Sequence, residues 1–346
     1  MMISVSGSFI NNSTASLVVA DNALTAGETS LVTITFSEAV TGFSNADLTI
    51  ANGTLTAVSS ADGGITWTAT LTPSASVTDA TNLITLDNTG VADAAGNAGT
   101  ATTDSNNYAI DTVRPTATIV LADTALRVGE TSLVTITFSE AVTGFTNADL
   151  SIANGTLTAV SSGDGGITWT ATFTPTASIT DATNVITLNN SDVADASGNT
   201  GSGTTDSNNY AIDTELPAAP AIPDLAAGSD SGSSNSDNIT NDTTPTFSGT
   251  AEANSTVAVF AAATSLGSVV ADGSGNWSLT VPGGSALADG VYTITATATD
   301  TAGNTSASAS AALSVTIDST APAKPATPNL ADASDSGDSD SDNLTN

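Results

Sequence analysis

Apolar and polar residues alternate in short runs along this chain. Val32, Ile34 and Phe36 are separated by Thr33 and Thr35; Ile65, Trp67, Ala69 and Leu71 are separated by Thr66, Thr68 and Thr70. Further on, Tyr292, Ile294, Ala296 and Ala298 alternate with Thr, and Leu313, Val315 and Ile317 alternate with polar neighbours. Successive side chains of a strand point to opposite faces, so a period of two puts one apolar face against a core and one polar face in water. Gly, Asn and Asp break the runs every ~8–12 residues, which is the turn spacing of an antiparallel sandwich. No stretch carries the 3.6-residue period of an amphipathic helix. The pattern predicts an all-β chain. Trp67, Trp169 and Trp277 fall in alternating segments and are expected in the cores.

Self-similarity sets the organisation. Thr14–Thr112 and Thr116–Thr214 align without a gap at an offset of 102, with 79 of 99 positions identical. Substitutions such as Leu17/Ile119, Leu71/Phe173 and Val77/Ile179 keep apolar positions apolar, which two nearly equivalent cores tolerate. A second motif, Pro217–Asn241, returns at Pro322–Asn346 with 17 of 25 positions identical at an offset of 105. Such periods are too long for a solenoid and match a whole β-domain of ~100 residues. The expected organisation is an unassigned segment 1–13, module one over 14–112, module two over 113–214, module three of a second type over 215–320, and the start of a fourth over 321–346. The second copy of the motif stops at Asn346, which predicts a piece of a longer array.

Composition then removes most functions. The chain has 35 acidic residues against three basic ones (Arg114, Arg127 and Lys324), for a formal charge of −32. Nothing here can neutralise phosphates, so no nucleic acid is expected as a partner. A basic patch for anionic lipid is missing for the same reason. No apolar run approaches the ~18 residues of a membrane span, so no direct membrane insertion is expected. The first residues lack a basic and an apolar region, so no cleavable signal peptide is visible. With no His and no Cys, Ser-His-Asp and Cys-His nucleophiles, structural zinc and disulfides are all ruled out. What remains is oxygen: carboxylates, amides, hydroxyls and carbonyls, the donors that Ca²⁺ takes. A paired-carboxylate glycosidase would need its site duplicated in each repeat and an aromatic cleft, so no enzyme is expected.

Two long strings carry a resemblance. FSEAVTGF, NGTL, TWTAT and VADAAGN in modules one and two, and SDNITNDTTPTFSGTAEANSTVAVF, GNWSLTVP and GVYTITATATDTAGN in module three, resemble bacterial immunoglobulin-like domains of giant repetitive surface adhesins. The resemblance covers about residues 14–346. It implies tandem immunoglobulin-like antiparallel β-sandwiches in an elongated array. It also implies an extracellular location on the bacterial cell surface, often reached by type I secretion, and rigidification of extender domains by calcium.

In that topology, the loops after the second and sixth strands lie where the chain enters a sandwich. The loop after the first strand and the end of the last strand lie where it leaves. With Leu133–Phe138 as the second strand of module two, Glu140 begins one leading loop, while Asp195 and Asn199 lie in the other. They face Asp111 of the linker, with Asp21 on the far side; Glu38, Asp93 and Asn97 occupy the matching positions of module one. Module three repeats the logic with Asp300 and Asn304 facing Asp213, and with Asp230, Asp237 and Asp242 in its long first loop near Asp318. That loop is not an EF-hand, since it lacks the Asp-x-Asp-x-Asp-Gly frame and the terminal Glu. Each motif has a plainer reading. DAAGN, DASGN and DTAGN can be turns in which Asp and Asn bond their own backbone. The Asp230–Asp242 loop can be a solvated charge run, and Glu38 and Glu140 exposed turn carboxylates. Asp47 and Asp149 are expected to cap turns.

The functional expectation is a structural extender whose partners are calcium ions and neighbouring domains of the same chain. The alternative is an extracellular filament or S-layer subunit, which would self-associate head to tail. Concentration-dependent polymers would mark the second reading and a rod-like monomer the first.

Overall fold

The computed structural model describes residues 13–306, 312–331, 334 and 343. The described residues form strands and five short 3₁₀ turns, with no α-helix. Residues 1–12, and most of the fourth module expected from the sequence, lie outside the described residues. The part of that module that is described, 321–331, holds no strand. The chain divides between Thr214 and Glu215 into two compact units.

The first unit contains two cores of the same design. In module one, the strand Ser30–Phe36 buries Ser30, Val32, Ile34 and Phe36 and turns Leu31 and Thr35 to solvent, as its period of two requires. It sits between Ala15–Val19 and Thr66–Pro73, with Gly53–Leu55 beyond the latter. Three further ladders complete the sandwich: Thr102–Asp104, Ile84–Asp87 and Leu48–Ile50; Ala23–Thr25, Tyr108–Asp111 and Thr78–Asn82; and the short pair Val40–Thr41 and Ala92–Asp93. All these pairings are antiparallel except one: Ala23–Thr25 runs parallel to Tyr108–Asp111. Val32, Ile34, Leu71, Ile84 and Leu86 are all fully buried. Each such side chain contributes about 1.5–3 kcal/mol relative to exposure, so the sheets are held face to face by many modest increments.

Phe36, Phe43 and Trp67 pack edge to face with ring centroids 5.3 Å apart. Module two repeats this with Phe138, Phe145 and Trp169. Its Phe173, which replaces Leu71, also meets the Tyr210 ring at 5.0 Å. Trp67 and Trp169 differ from expectation in depth, because both are half-buried at the edge of their cores. The indole N–H explains this: each is placed where it can donate to a turn carbonyl, Gly64 O at 3.1 Å and Gly166 O at 3.0 Å. Ile65, at 40% exposure, precedes its strand instead of facing the core.

The second unit packs the ladder Asp224–Leu225, Thr246–Thr250 and Asn276–Thr280 against five strands. Those five lie in the order Ile239–Thr240, Leu313–Ile317, Gly290–Thr299, Thr256–Ala261 and Thr264–Val270. Trp277 is fully inside this core. It fits because Gly249 faces it: a Cβ there would lie 2.8 Å from the indole ring. Here too one pairing is parallel, between Ile239–Thr240 and Leu313–Ile317.

Candidate junction site

The Asp-x-x-Gly-Asn turns are built alike. In module two, Ala194–Asp195 pairs with Val142–Thr143, which brings Asp195 beside the turn that carries Glu140. Asp195 Oδ1 accepts from Ser197 N (2.9 Å) and Asn199 N (2.8 Å), and its Oδ2 accepts from Asn199 Nδ2 (2.8 Å). Asp93 makes the same three bonds to Ala95 N, Asn97 N and Asn97 Nδ2. The Asn97 side chain, followed by the Asn97 backbone N–H, holds the Asp93 carboxyl below the usual carboxylate range. Asp300 accepts from Gly303 N, Asn304 N and Asn304 Nδ2. These are the bonds of turn formers, and each carboxylate still has lone pairs for a further partner.

The turn of module two does more than close itself. Asp111 ends the strand Tyr108–Asp111 at the trailing end of module one, its Oδ1 accepting from Thr78 Oγ1 at 2.9 Å. Across the junction, Ser197 Oγ donates to Asp111 Oδ2 (2.6 Å) and Asn199 Nδ2 donates to Asp111 O (2.9 Å). Ala26 N, from the first loop of module one, donates to Asn199 Oδ1 (2.7 Å), and Arg114 Nη1 donates to Thr200 O (2.6 Å). Asn199 is thus 3% exposed and its polar atoms are shared between two modules.

Glu140 sits in this contact with an unmet need. Its Oε1 is buried without a hydrogen-bond partner, as is Glu38 Oε1 at the matching place in module one. Burial pushes the Glu140 carboxyl up, and the negative charges of Asp195 and then Asp111 push it further. Arg127 and Glu130 form an ion pair at 2.8 Å, and neither partner is Glu140, Asp195 or Asp111. Among the described residues there is no group of three carboxylates placed to hold a metal ion. What the junction offers is a buried oxygen without a hydrogen-bond partner, near the negative charges of Asp195, whose bonds close its own turn, and of Asp111, which already accepts from Ser197 across the junction.

The remaining sequence candidates occupy separate places. Asp21 closes its own turn, accepting from Ala23 N at 3.1 Å; Ala26, five residues on, makes the contact to module two. Asp213 accepts from Thr180 Oγ1 as Asp111 does from Thr78. Asp318 accepts from Thr320 N, and its own N donates to Thr240 O. Asp242 accepts from Ser229 Oγ and Thr244 N, and Asp237 from Ile239 N. Asp47 and Asp149 complete capping boxes with Ser44 and Thr146. Sequence reasoning missed Ala26 and Ser197. Ala26 contributes only its backbone, which no side-chain pattern reveals. Ser197 was visible as a difference between copies, since module one has Ala95 there.

No curated protein matches the chain. Among solved structures, an Escherichia coli adhesin, FdeC, is 14% identical with a TM-score of 0.37, covering 88% of this chain and 96% of its own. A 1.5-MDa bacterial ice-binding adhesin is 20% identical with a TM-score of 0.39, covering 88% and 98%. A Ca²⁺-stabilised adhesin of an Antarctic bacterium is 21% identical with a TM-score of 0.34, covering 90% and 75%. At these identities the likeness is one of fold alone. Family models are more specific: a bacterial Ig-like domain matches residues 11–110 and again 111–212, and a second bacterial Ig-like domain matches 216–319. These are structural, non-enzymatic modules. The chain belongs to the bacterial Ig-like domain family, with two tandem domains of one kind followed by one of another.

Proposed function

We propose that this chain is an extender segment of a bacterial surface adhesin, outside the cell, and that Ca²⁺ stiffens the junction between modules one and two. The carrying observation is the negative charge gathered at this contact: Glu140, whose Oε1 lacks a hydrogen-bond partner, feels the charges of Asp195 and of Asp111, which belong to modules bonded to each other through Asn199. A carboxylate oxygen held out of water without a donor, close to two other negative charges, is destabilised, and a cation would offset that. Asp111, Glu140 and Asp195 do not stand as a metal-holding trio in this structure, so they would have to draw together around the ion, with carbonyl and amide oxygens completing the 6–8 donors that Ca²⁺ accepts. The residues fit a hard cation because every available donor is oxygen. With the ion bound, mutual repulsion becomes shared attraction, and the hinge loses freedom without any change inside either core.

Small-angle scattering of the full chain with Ca²⁺ and with EGTA tests this. The radius of gyration and the spread of inter-module angles should rise on chelation, and Mg²⁺ should substitute poorly because it demands smaller octahedral geometry. An unchanged profile at low salt would remove calcium from the junction and leave a stalk held by direct hydrogen bonds. Concentration-dependent polymers in light scattering would point instead to a head-to-tail assembling subunit.

A further inference from the structure

We infer that the larger sheet of each module presents an uncharged docking face, and that its occupant is the same face on a second copy of this chain, lying side by side with the first. In module one the inward residues of Ser30–Phe36 and Thr66–Pro73 alternate with outward ones. The outward positions of Thr66–Pro73 are all threonine, and Thr33 and Thr35 stand opposite Thr68 and Thr66. Leu31 lies opposite Thr70 and Val18 opposite Thr33, diagonal to each other, and they are 52% and 51% exposed. Module two repeats the face, with Val120 and Leu133 in the same places. Module three, of the other type, reaches it with different residues. From Thr293 to Thr299 every outward position of Gly290–Thr299 is threonine, and Val291 and Val270 are 72% and 62% exposed on that side.

Among the described residues, no strand of these three sheets contains a charged side chain. The opposite side of each module does. Asp104 and Asp206 project there, each accepting from a threonine hydroxyl at 2.6 Å (Thr85 and Thr187), and Asp224 stands across from Ser248. At the rim of the neutral face, in the turns leading into Thr66 and Thr168, the Asp62 and Asp164 carboxylates are folded back onto the N–H groups of those threonines.

This two-sidedness selects the occupant. Like charges brought together across an interface cost several kcal/mol, so two copies of a chain of charge −32 can touch only where charge is absent. A basic partner would take the acidic side instead. Methyls and hydroxyls on a sheet are self-complementary, and two such faces stack ~10 Å apart as the layers of a sandwich do. Three strands at ~4.8 Å and eight residues at ~3.3 Å give one face about 350 Å². That is under half of the ~800 Å² per partner of a standard interface, so one pair of modules makes a fleeting contact and pairing gains from every further module that engages. The face needs no ion, so it stands whether or not Ca²⁺ holds the junction.

Small-angle scattering of the full chain in EGTA, over a concentration series, tests this at about 0.01 M and about 1 M salt, where the screening length falls from ~30 Å to ~3 Å. The chain should be single at low salt, and at high salt its mass per unit length should rise about two-fold as the cross-section widens. Growth in length at constant mass per unit length would be head-to-tail assembly and would overturn the lateral contact. So would a single chain at every concentration in high salt. The triple variant Val18→Glu, Val120→Glu and Val270→Glu puts one charge on each neutral face at an exposed position. Its melting curve should match wild type while the high-salt pairing is lost. Thr49→Glu, Ser151→Glu and Thr250→Glu add the same charge to the opposite sheets and should pair as wild type does. Loss of pairing in both triple variants, or in neither, would sink the assignment of the face.

Discussion

Modules one and two display the same turn at their leading ends, yet Asn97 is half-buried while Asn199 is 3% exposed. Both asparagines complete the same three-bond closure of an aspartate. Asn199 in addition bonds Asp111 O and Ala26 N of the preceding module. The turn therefore does two separable jobs. Asp and Gly set its shape, and the residues between and after them set what it docks against. Two of those differ between the copies, Ala95/Ser197 and Ala98/Thr200, and in module two both positions bond the preceding module or its linker.

The sharpest way to break this comparison is Asn199→Ala against Asn97→Ala. Losing Asn199 leaves Ala26 N and Asp111 O unsatisfied in a buried contact, which should cost about 1–3 kcal/mol in denaturant unfolding and broaden the inter-module angle. Asn97→Ala should weaken its own turn by about 1 kcal/mol and leave that angle alone. Equal broadening in both variants would show that the contact does not depend on Asn199.

Glu140→Gln comes next. With EGTA at low salt it should raise the melting temperature by about 2–4 °C, since it relieves a buried charge beside Asp195 and Asp111, and it should shrink the gain from Ca²⁺. A lower melting temperature in EGTA would mean that Glu140 is already compensated.

The same raised pKa gives a pH signature. A carboxyl held above its unfolded value binds more protons when folded, so stability falls as pH rises from near 4.5 through the folded value. Without Ca²⁺ the contact between modules one and two should therefore tighten on acidification into that window, an effect absent in Glu140→Gln. Asp62 and Asp164 run the opposite way. Their carboxyls are held down to about 2, chiefly by the Thr66 and Thr168 backbone N–H, and their turns should loosen only as pH falls from near 4 toward 2. Scattering and amide exchange followed from pH 7 to 2 should show the contact tightening first and the Asp62 and Asp164 turns loosening at lower pH.

The smallest effect is expected from Ser197→Ala, which gives module two the residue of module one. It removes an exposed 2.6 Å bond to Asp111 and should cost about 0.5 kcal/mol, detectable as a slight increase in hinge freedom. The reverse exchange, Ala95→Ser, should change nothing in the contact between modules one and two.

Much of this architecture was legible beforehand because it rests on local periodicity. Val32, Ile34 and Phe36 face inward as their alternation with Thr requires. The 102-residue offset likewise recurs as two cores of matching residues, Val32 with Val134 and Ile84 with Ile186. Strand order places Asp111, Glu140 and Asp195 toward one junction, since loops at one end of a sandwich meet the linker, and Asp111 does bond Ser197 and Asn199 of that turn. What sequence could not show was depth and partnership. Trp67 reads as core from its period, but its N–H draws it to the rim beside Gly64 O. Ala26 carries no chemical signature, because it acts through its backbone. Nor does spacing reveal which of Glu140's oxygens lacks a donor; Glu38 Oε1 lacks one at the matching place of module one, so this is a property of each module's own turn.

The parallel pairing noted in both sandwich types has a consequence under tension. In module one, Ala23–Thr25 belongs to the incoming chain and Ala109–Asp111 to the outgoing one, side by side and pointing the same way. Pulling the module by its two ends drags these strands past each other, so their hydrogen bonds are loaded together in shear. Unzipping would instead break them one at a time and yield at lower force. Arg127 beside Asp213 and Thr240 beside Ile317 repeat the arrangement in modules two and three. A chain with no disulfide in any core would thereby resist a pull through backbone ladders loaded in shear.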